Sequence, residues 1–296
     1  RAIRPTLPDL LTMAFILTLV NTAGLNPALA DTAAQTITSL GGRVADVKTL
    51  PNVADITFEG DLPSLPQAAE TWPADFAIQP AASRQKKLLV SDMEMTLVQN
   101  EFLDDIAELA GIGEEVKKIT ALAMNGQIDF AGSLKARLAL LKDQPVSLLE
   151  KAWAGMKLMP GAETLFATAR AHGIRTVIVS GGFTYFVDRV AAILKPDATV
   201  ANRLEIAADR LTGNPVEPIL GKETKQRVLE EEAATLGIDL CETMAVGDGA
   251  NDLPMLLRAG LGVAYHAKPT VAAAARCRVR YSDLTALLAF AGIYPA

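Results

Sequence analysis

Three short apolar runs in this chain end in residues able to do chemistry. Leu88-Leu89-Val90-Ser91 leads into Asp92-Met93-Glu94-Met95-Thr96, which sets two carboxylates two residues apart directly after a strand-like segment. Val177-Ile178-Val179 leads into Ser180-Gly181-Gly182, a hydroxyl followed by a glycine-rich turn whose N–H groups can cradle an anion. Ala245-Val246-Gly247 leads into Asp248-Gly249-Ala250-Asn251-Asp252, a loop of carboxylates that suits a hard divalent cation such as Mg²⁺. Each has an ordinary structural explanation, because an Asp after a strand caps the next helix and Gly-Gly is first of all a turn. Their recurrence in chain order, with Lys225 between the second and the third, favours a joint functional reading.

Residues of this kind need elements that bring them together. In open parallel sheets ligands bind beyond the carboxyl ends of the strands, which is where all three runs place their polar residues. From Lys87 onward, apolar strands at about 88–91, 176–180, 199–201 and 243–247 alternate with long helices, the signature of a parallel sheet covered on both faces. The stretch 102–156 is mostly helical and too long for one crossover, so it reads as a cap inserted over the sheet edge. Before this region lie a strand (15–20), a helix (29–40) and two further strands (43–50 and 54–59). A segment dotted with Pro63, Pro66, Pro73 and Pro80 follows, and then Arg84-Gln85-Lys86-Lys87, which reads as a polar linker. The boundary falls near residue 84, with a small α+β unit over 1–84 and an α/β unit over 85–296.

Composition narrows the classes. Half of the 296 residues are hydrophobic and 21% are charged, which is globular rather than disordered. A net charge of -6 without any Lys/Arg run argues against a nucleic-acid surface, since phosphate backbones are held by clustered cations. Cys241 and Cys277 form no framework and read as reduced packing residues. Arg1, Arg4, the apolar run 10–20 and Ala28-Leu29-Ala30 imitate a secretory leader with its cleavage site. Against that, 14–20 reads as a buried strand and 26–40 as a helix unbroken at Ala30, and Met13 is a candidate natural start. No other segment offers the roughly 20 apolar residues of a membrane span. A soluble, cytoplasmic protein without membrane partners is expected, and a homodimer is allowed.

The motifs resemble those of the phosphoserine phosphatases of the haloacid dehalogenase superfamily over about residues 85–296. Asp92 to Thr96 is similar to the family's Asp-x-Asp-Ser/Thr-Thr, Ser180 to Phe183 to its Ser-Gly-Gly-Phe, Lys225 to its motif lysine, and Gly247 to Asp252 to its Gly-Asp-Gly-Ala-Asn-Asp. The stretches Ala201-Asn202-Arg203-Leu204, Leu211-Thr212-Gly213-Asn214 and Tyr265-His266-Ala267-Lys268-Pro269 also look like the family. The resemblance implies a haloacid dehalogenase-like doubly wound parallel sheet with an inserted helical cap, here preceded by a small α+β domain loosely like an ACT module. It implies hydrolysis of O-phosphoserine, with Asp92 forming an aspartyl-phosphate and Glu94 acting as acid and then base. It also implies Mg²⁺ held by Asp92, the Glu94 carbonyl and Asp248; Lys225 restraining the like charges; and Ser180, the Gly181 amide and Asn251 at the phosphate. Substrate choice would rest on Glu101 for the ammonium and Arg137 for the carboxylate, with Met124 and Phe130 closing over them.

Two residues depart from the family. Glu94 stands where it has Asp, and Met95 where it has a small hydroxyl residue. A methylene adds about 1.5 Å of reach, and misplacing a catalytic group by about 1 Å costs on the order of 10²-fold in rate. A weakened enzyme, a sensor that only binds phosphoserine, and an enzyme for another small phosphoester therefore stay open beside the leading reading.

Overall fold

The computed structural model describes residues 13–125 and 127–294; the expectations for Arg1, Arg4 and the start of the apolar run lie outside them. The chain opens with β1 (Ala14–Val20), α1 (Ala28–Ser39), β2 (Arg43–Thr49), β3 (Val53–Glu59), α2 (Leu65–Ala69) and β4 (Asp75–Pro80). These form an antiparallel sheet in the order β2-β3-β1-β4, the arrangement of a split βαβ unit. Alternate strand residues reach one face, where Leu17, Leu19, Ile56 and Phe58 meet Leu29, Ala30, Ala33 and Ile37 of α1. Ala30, which resembled a cleavage site, is 2% exposed inside an unbroken helix.

The proline-dotted segment 62–80, to which the sequence assigned no element, holds α2 and β4. Its prolines cost little there: Pro66 lies in the first helical turn, where no N–H is needed, and Pro80 ends its strand.

The second part runs β5 (Leu88–Ser91), α3 (Phe102–Leu109), α4 (Gly113–Met124), α5 (Phe130–Ala139), α6 (Ser147–Ala154), α7 (Ala162–Ala171), β6 (Arg175–Phe183), α8 (Thr184–Leu194), β7 (Ala198–Ala207), β8 (Arg210–Val216) and α9 (Lys222–Leu236). It ends with β9 (Thr243–Gly247), α10 (Leu253–Arg258), β10 (Leu261–Tyr265), α11 (Pro269–Ala274), β11 (Cys277–Val279) and α12 (Ala286–Phe290). The order β11-β10-β9-β5-β6-β7 is parallel throughout, and β8 closes the edge as an antiparallel hairpin with β7. The short strands are buried on both faces, as a doubly covered sheet requires. Leu89, Ile178 and Val246 pack on one side, and Leu88, Val90, Val177 and Ala245 on the other. Helices α3 to α6 lie between β5 and β6 in the chain. They are tied to the core by the Phe102 ring stacked 3.9 Å from that of Phe186, and by Arg189 of α8, 2.9 Å from Glu150 of α6.

The two parts share one 11-stranded sheet, because β4 pairs antiparallel with β11 where Arg278 faces Phe76. The buried Asp75 carboxylate accepts N–H bonds from Arg280 (2.6 Å), Tyr281 (3.1 Å) and Ser282 (2.8 Å). The segment read as a linker is built into this seam. Arg84 binds Asp55 at 2.7 Å and donates to the Ala289 carbonyl, while Lys86, 5% exposed, donates to the Ser83 and Cys241 carbonyls. The cysteine reading also needs correcting: Cys277 is buried, but Cys241 is exposed on a 3-10 turn and packs no core.

Candidate active site

Strand β5 is flanked by β9 on one side and β6 on the other, so all three polar strand ends converge. Asp92 follows β5, its N–H on the Val246 carbonyl at 3.0 Å, and only 6% of it is exposed. Lys225, in the first turns of α9, brings its ammonium between two carboxylates, 2.6 Å from Asp92 Oδ1 and 2.5 Å from Asp252 Oδ1. The other Asp252 oxygen accepts the Gly249 N–H at 2.9 Å. A Cβ on Gly247 would collide with Asp252, so the close approach of that carboxylate requires glycine there.

Ser180 is buried within β6, three residues before its end, and its Oγ accepts the Gly182 N–H at 2.9 Å; the run Ser180-Gly181-Gly182, expected as a turn, continues the strand to Phe183. Glu94 points at that run: a Cβ on Gly182 would strike its Oε2, while Oε1 accepts the Phe102 N–H at 2.9 Å from the start of α3. The longer acid is therefore anchored to the cap. Met95, beside it, adopts a left-handed φ of 55° and is 37% exposed.

One cavity of about 110 Å³ gathers most of the expected residues: Asp92, Glu94, Glu101, Phe130, Arg137, Gly181, Asp248 and Asn251 all line it. Ser180 and Lys225 are buried beside it, Ser180 next to the lining Gly181 and Lys225 against the lining Asp92, and the Met124 side chain lies outside the described residues. Glu101 precedes α3 and Phe130 opens α5, whose end is capped by Asp129 accepting the Gly132 N–H at 2.7 Å. Arg137 follows two turns later and is half-buried. A roomier hollow of about 410 Å³ lies against β11, but its walls are chiefly apolar residues such as Phe15, Phe58, Phe76 and Ile78.

Sequence reasoning gave no role to two residues here. Asp252 sits inside a motif already noted, and its position four residues after Asp248 was the available signal. Lys268 lines the cavity from the N-terminal end of α11. Neither histidine joins the site's wall: His172 caps the C-terminal end of α7, and the His266 ring pairs with the Ser282 carbonyl.

The electrostatics show an excess of acid. Burial, then Asp252, push Asp92 up to about 8 against the pull of Lys225. Burial and Glu101 push Glu94 up to about 8, opposed by the Phe102 N–H. Glu101, open to solvent on one side, rises to about 7 through desolvation and then Asp104 and Asp248. Desolvation and Asp252 also raise Asp248. Burial alone would lower Lys225, but Asp92 and Asp252 more than offset it and keep the ammonium charged. Asp92, Asp248 and Asp252 each bring an oxygen within 4.8 Å of the others. Three carboxylates sharing one lysine, all hard oxygen donors, fit a small divalent cation.

A model of the haloacid dehalogenase-like hydrolases matches residues 89–257. A phosphoserine phosphatase of Vibrio cholerae is 45% identical over 197 residues, 67% of this chain and 60% of the relative. The chain thus spans less than two thirds of the length of the first curated relatives it matches. A HAD-family hydrolase from Salmonella enterica serovar Typhi superposes with a TM-score of 0.82 at 29% identity, covering 93% of this chain and 97% of that one. A phospho-aspartyl intermediate analogue of a phosphoserine phosphatase gives 0.65 at 40% identity, over 71% of this chain and all of that one.

Proposed function

Because the chain belongs to the haloacid dehalogenase-like hydrolase family, we propose that it hydrolyses O-phospho-L-serine to serine and phosphate through an aspartyl-phosphate on Asp92. The observation that carries the substrate is that Glu101 and Arg137 share the cavity of about 110 Å³ with Asp92. An acid and a guanidinium, set apart from the nucleophile, match an ammonium and a carboxylate. The division of the chain at residue 84 and the extent of the cap over 102–156 belong to the same proposal.

In the first half-reaction an Asp92 oxygen attacks phosphorus in line, the bond from phosphorus to the serine oxygen breaks, and Glu94 gives that oxygen its proton. An acid pushed up to about 8 is protonated at neutral pH, as this role needs. In the second half-reaction Glu94 takes a proton from water, whose oxygen attacks the same phosphorus, and phosphate and the Asp92 carboxylate leave. Lys225 holds Asp92 in place, while Ser180 and the Gly181 amide face the phosphate oxygens and Asn251 steadies the Asp248 loop. Asp92, the Glu94 carbonyl and Asp248 would hold Mg²⁺, which neutralises phosphate charge and lets Asp92 stay ionised.

The test is phosphate release by the purified protein from phosphoserine and from a panel of small phosphomonoesters, with and without Mg²⁺. Preferential, Mg²⁺-dependent turnover of phosphoserine is expected. Faster turnover of an ester lacking the amino-acid group would replace the substrate, and no turnover of any ester would overturn the reading.

A further inference from the structure

Two cations line the cavity, Arg137 and Lys268, against the acids Asp92, Glu94, Glu101 and Asp248. Arg137 is engaged with the substrate carboxylate in the reading above, and Lys225 is committed to Asp92 and Asp252. A phosphate dianion thus has to enter a chamber where four acids line the wall against two basic side chains, and Lys268 is the one lining cation left to receive it.

The surroundings of Lys268 suit that task. It precedes Pro269 at the start of α11, in extended conformation with ψ 146°, and its N–H reaches the Asp248 carbonyl at 3.3 Å. Its backbone is therefore fixed to the loop that carries Asp248, while the side chain is exposed. Among the described residues its ammonium has no ion-pair partner, unlike that of Lys225, so it is available to an incoming anion.

We propose that Lys268 is a specificity-determining residue that draws the phosphate dianion into the chamber and holds it at the Asp248 side until Asp92 attacks. This rests on the phosphatase reading but can fail separately from it. A charge focused at the mouth of a low-dielectric cleft raises association by about tenfold or more, and bulk salt weakens the effect.

The experiment compares the parent with Lys268→Gln and Lys268→Arg. In kinetics on phosphoserine, Lys268→Gln should lower kcat/KM about tenfold or more, mostly through KM, and flatten its dependence on salt, while Lys268→Arg recovers most of the loss. Calorimetric titration with inorganic phosphate in the presence of Mg²⁺ gives the same comparison without turnover, and Lys268→Gln should bind phosphate about tenfold more weakly. Unchanged phosphate affinity in Lys268→Gln would overturn the assignment, whether or not phosphoserine proves to be the substrate. So would a loss confined to kcat, insensitive to salt and not restored by Arg, since that is what a purely structural helix start would give.

Discussion

Replacing Glu94 by Asp removes one methylene and shortens the side chain by about 1.5 Å. By family pattern alone, Asp at this position should serve at least as well as Glu. The Phe102 N–H argues the other way. It donates to Glu94 Oε1 at 2.9 Å, so a carboxyl group drawn back by a full bond length loses the contact that aims it at the Ser180–Gly182 stretch of β6. A hydrogen bond between neutral groups, as here with the acid protonated, contributes about 0.5–1.5 kcal/mol, and each 1.4 kcal/mol is about tenfold. Glu94→Asp should therefore lower kcat about 2- to 10-fold through the lost contact, rising to about 10²-fold if the acid is also misplaced by about 1 Å. Glu94→Gln keeps an oxygen for Phe102 but has no proton to give, so it should lose about 10²- to 10⁴-fold with little change in KM. Steady-state phosphate release at saturating Mg²⁺ measures all three proteins. A parallel pre-steady-state burst with p-nitrophenyl phosphate, whose leaving group needs little protonation, should show the Gln variant's first step largely restored. Equal or faster turnover by Glu94→Asp would refute the anchoring argument, and Glu94→Gln within about threefold of the parent would remove Glu94 from proton transfer altogether.

Asp92→Asn should leave turnover below about a thousandth of the parent while circular dichroism stays unchanged, because an amide fills the space but forms no acyl-phosphate; measurable turnover above that level rejects the nucleophile. Arg137→Ala should weaken use of phosphoserine by at least about tenfold more than use of p-nitrophenyl phosphate, since only the former leaves a carboxylate unpaired; equal losses remove Arg137 from recognition. Chelation of Mg²⁺ should abolish activity, and adding it back should raise Tm by relieving the repulsion among Asp92, Asp248 and Asp252; an unmoved Tm in Asp248→Asn but not in the parent is the accompanying control.

The parallel sheet and the acids and hydroxyl that follow its apolar runs were legible in the sequence because their signal is local. Asp92, Ser180 and Asp248 each follow an apolar run at a strand end, a local pattern that survives without any knowledge of neighbours. What the sequence left dark depends on distant residues. Glu94 and Phe102 are eight residues apart, and nothing in either signals that one carboxylate oxygen will find that N–H. Lys268 lies on a loop reached only after β10, a strand whose glycine-bearing run Leu261–Tyr265 carries no alternation to betray it. Segment 62–80 suggested no element because prolines break strands and helices in general, whereas Pro66 sits in a helix's first turn and Pro80 at a strand's end. Arg84 and Lys86 were misread because a charged run looks solvated until its partners, Asp55 on β3 and the Cys241 carbonyl, come from far along the chain.

The seam made by β4 and β11 alters what recombination could do with this protein. Asp75 carries one buried carboxylate whose three N–H donors all come from residues 280–282, more than 200 positions away. An exchange of gene segments near residue 84 would hand a foreign N-terminal unit to a catalytic part whose Cys277 thiol, Arg280 amide and Phe290 carbonyl are fitted to Phe76, Asp75 and Gln79. The mismatch would leave several backbone groups buried without partners, each at a cost of about 1–3 kcal/mol. A graft across that point would therefore need matched changes on both sides to keep the seam's polar groups paired.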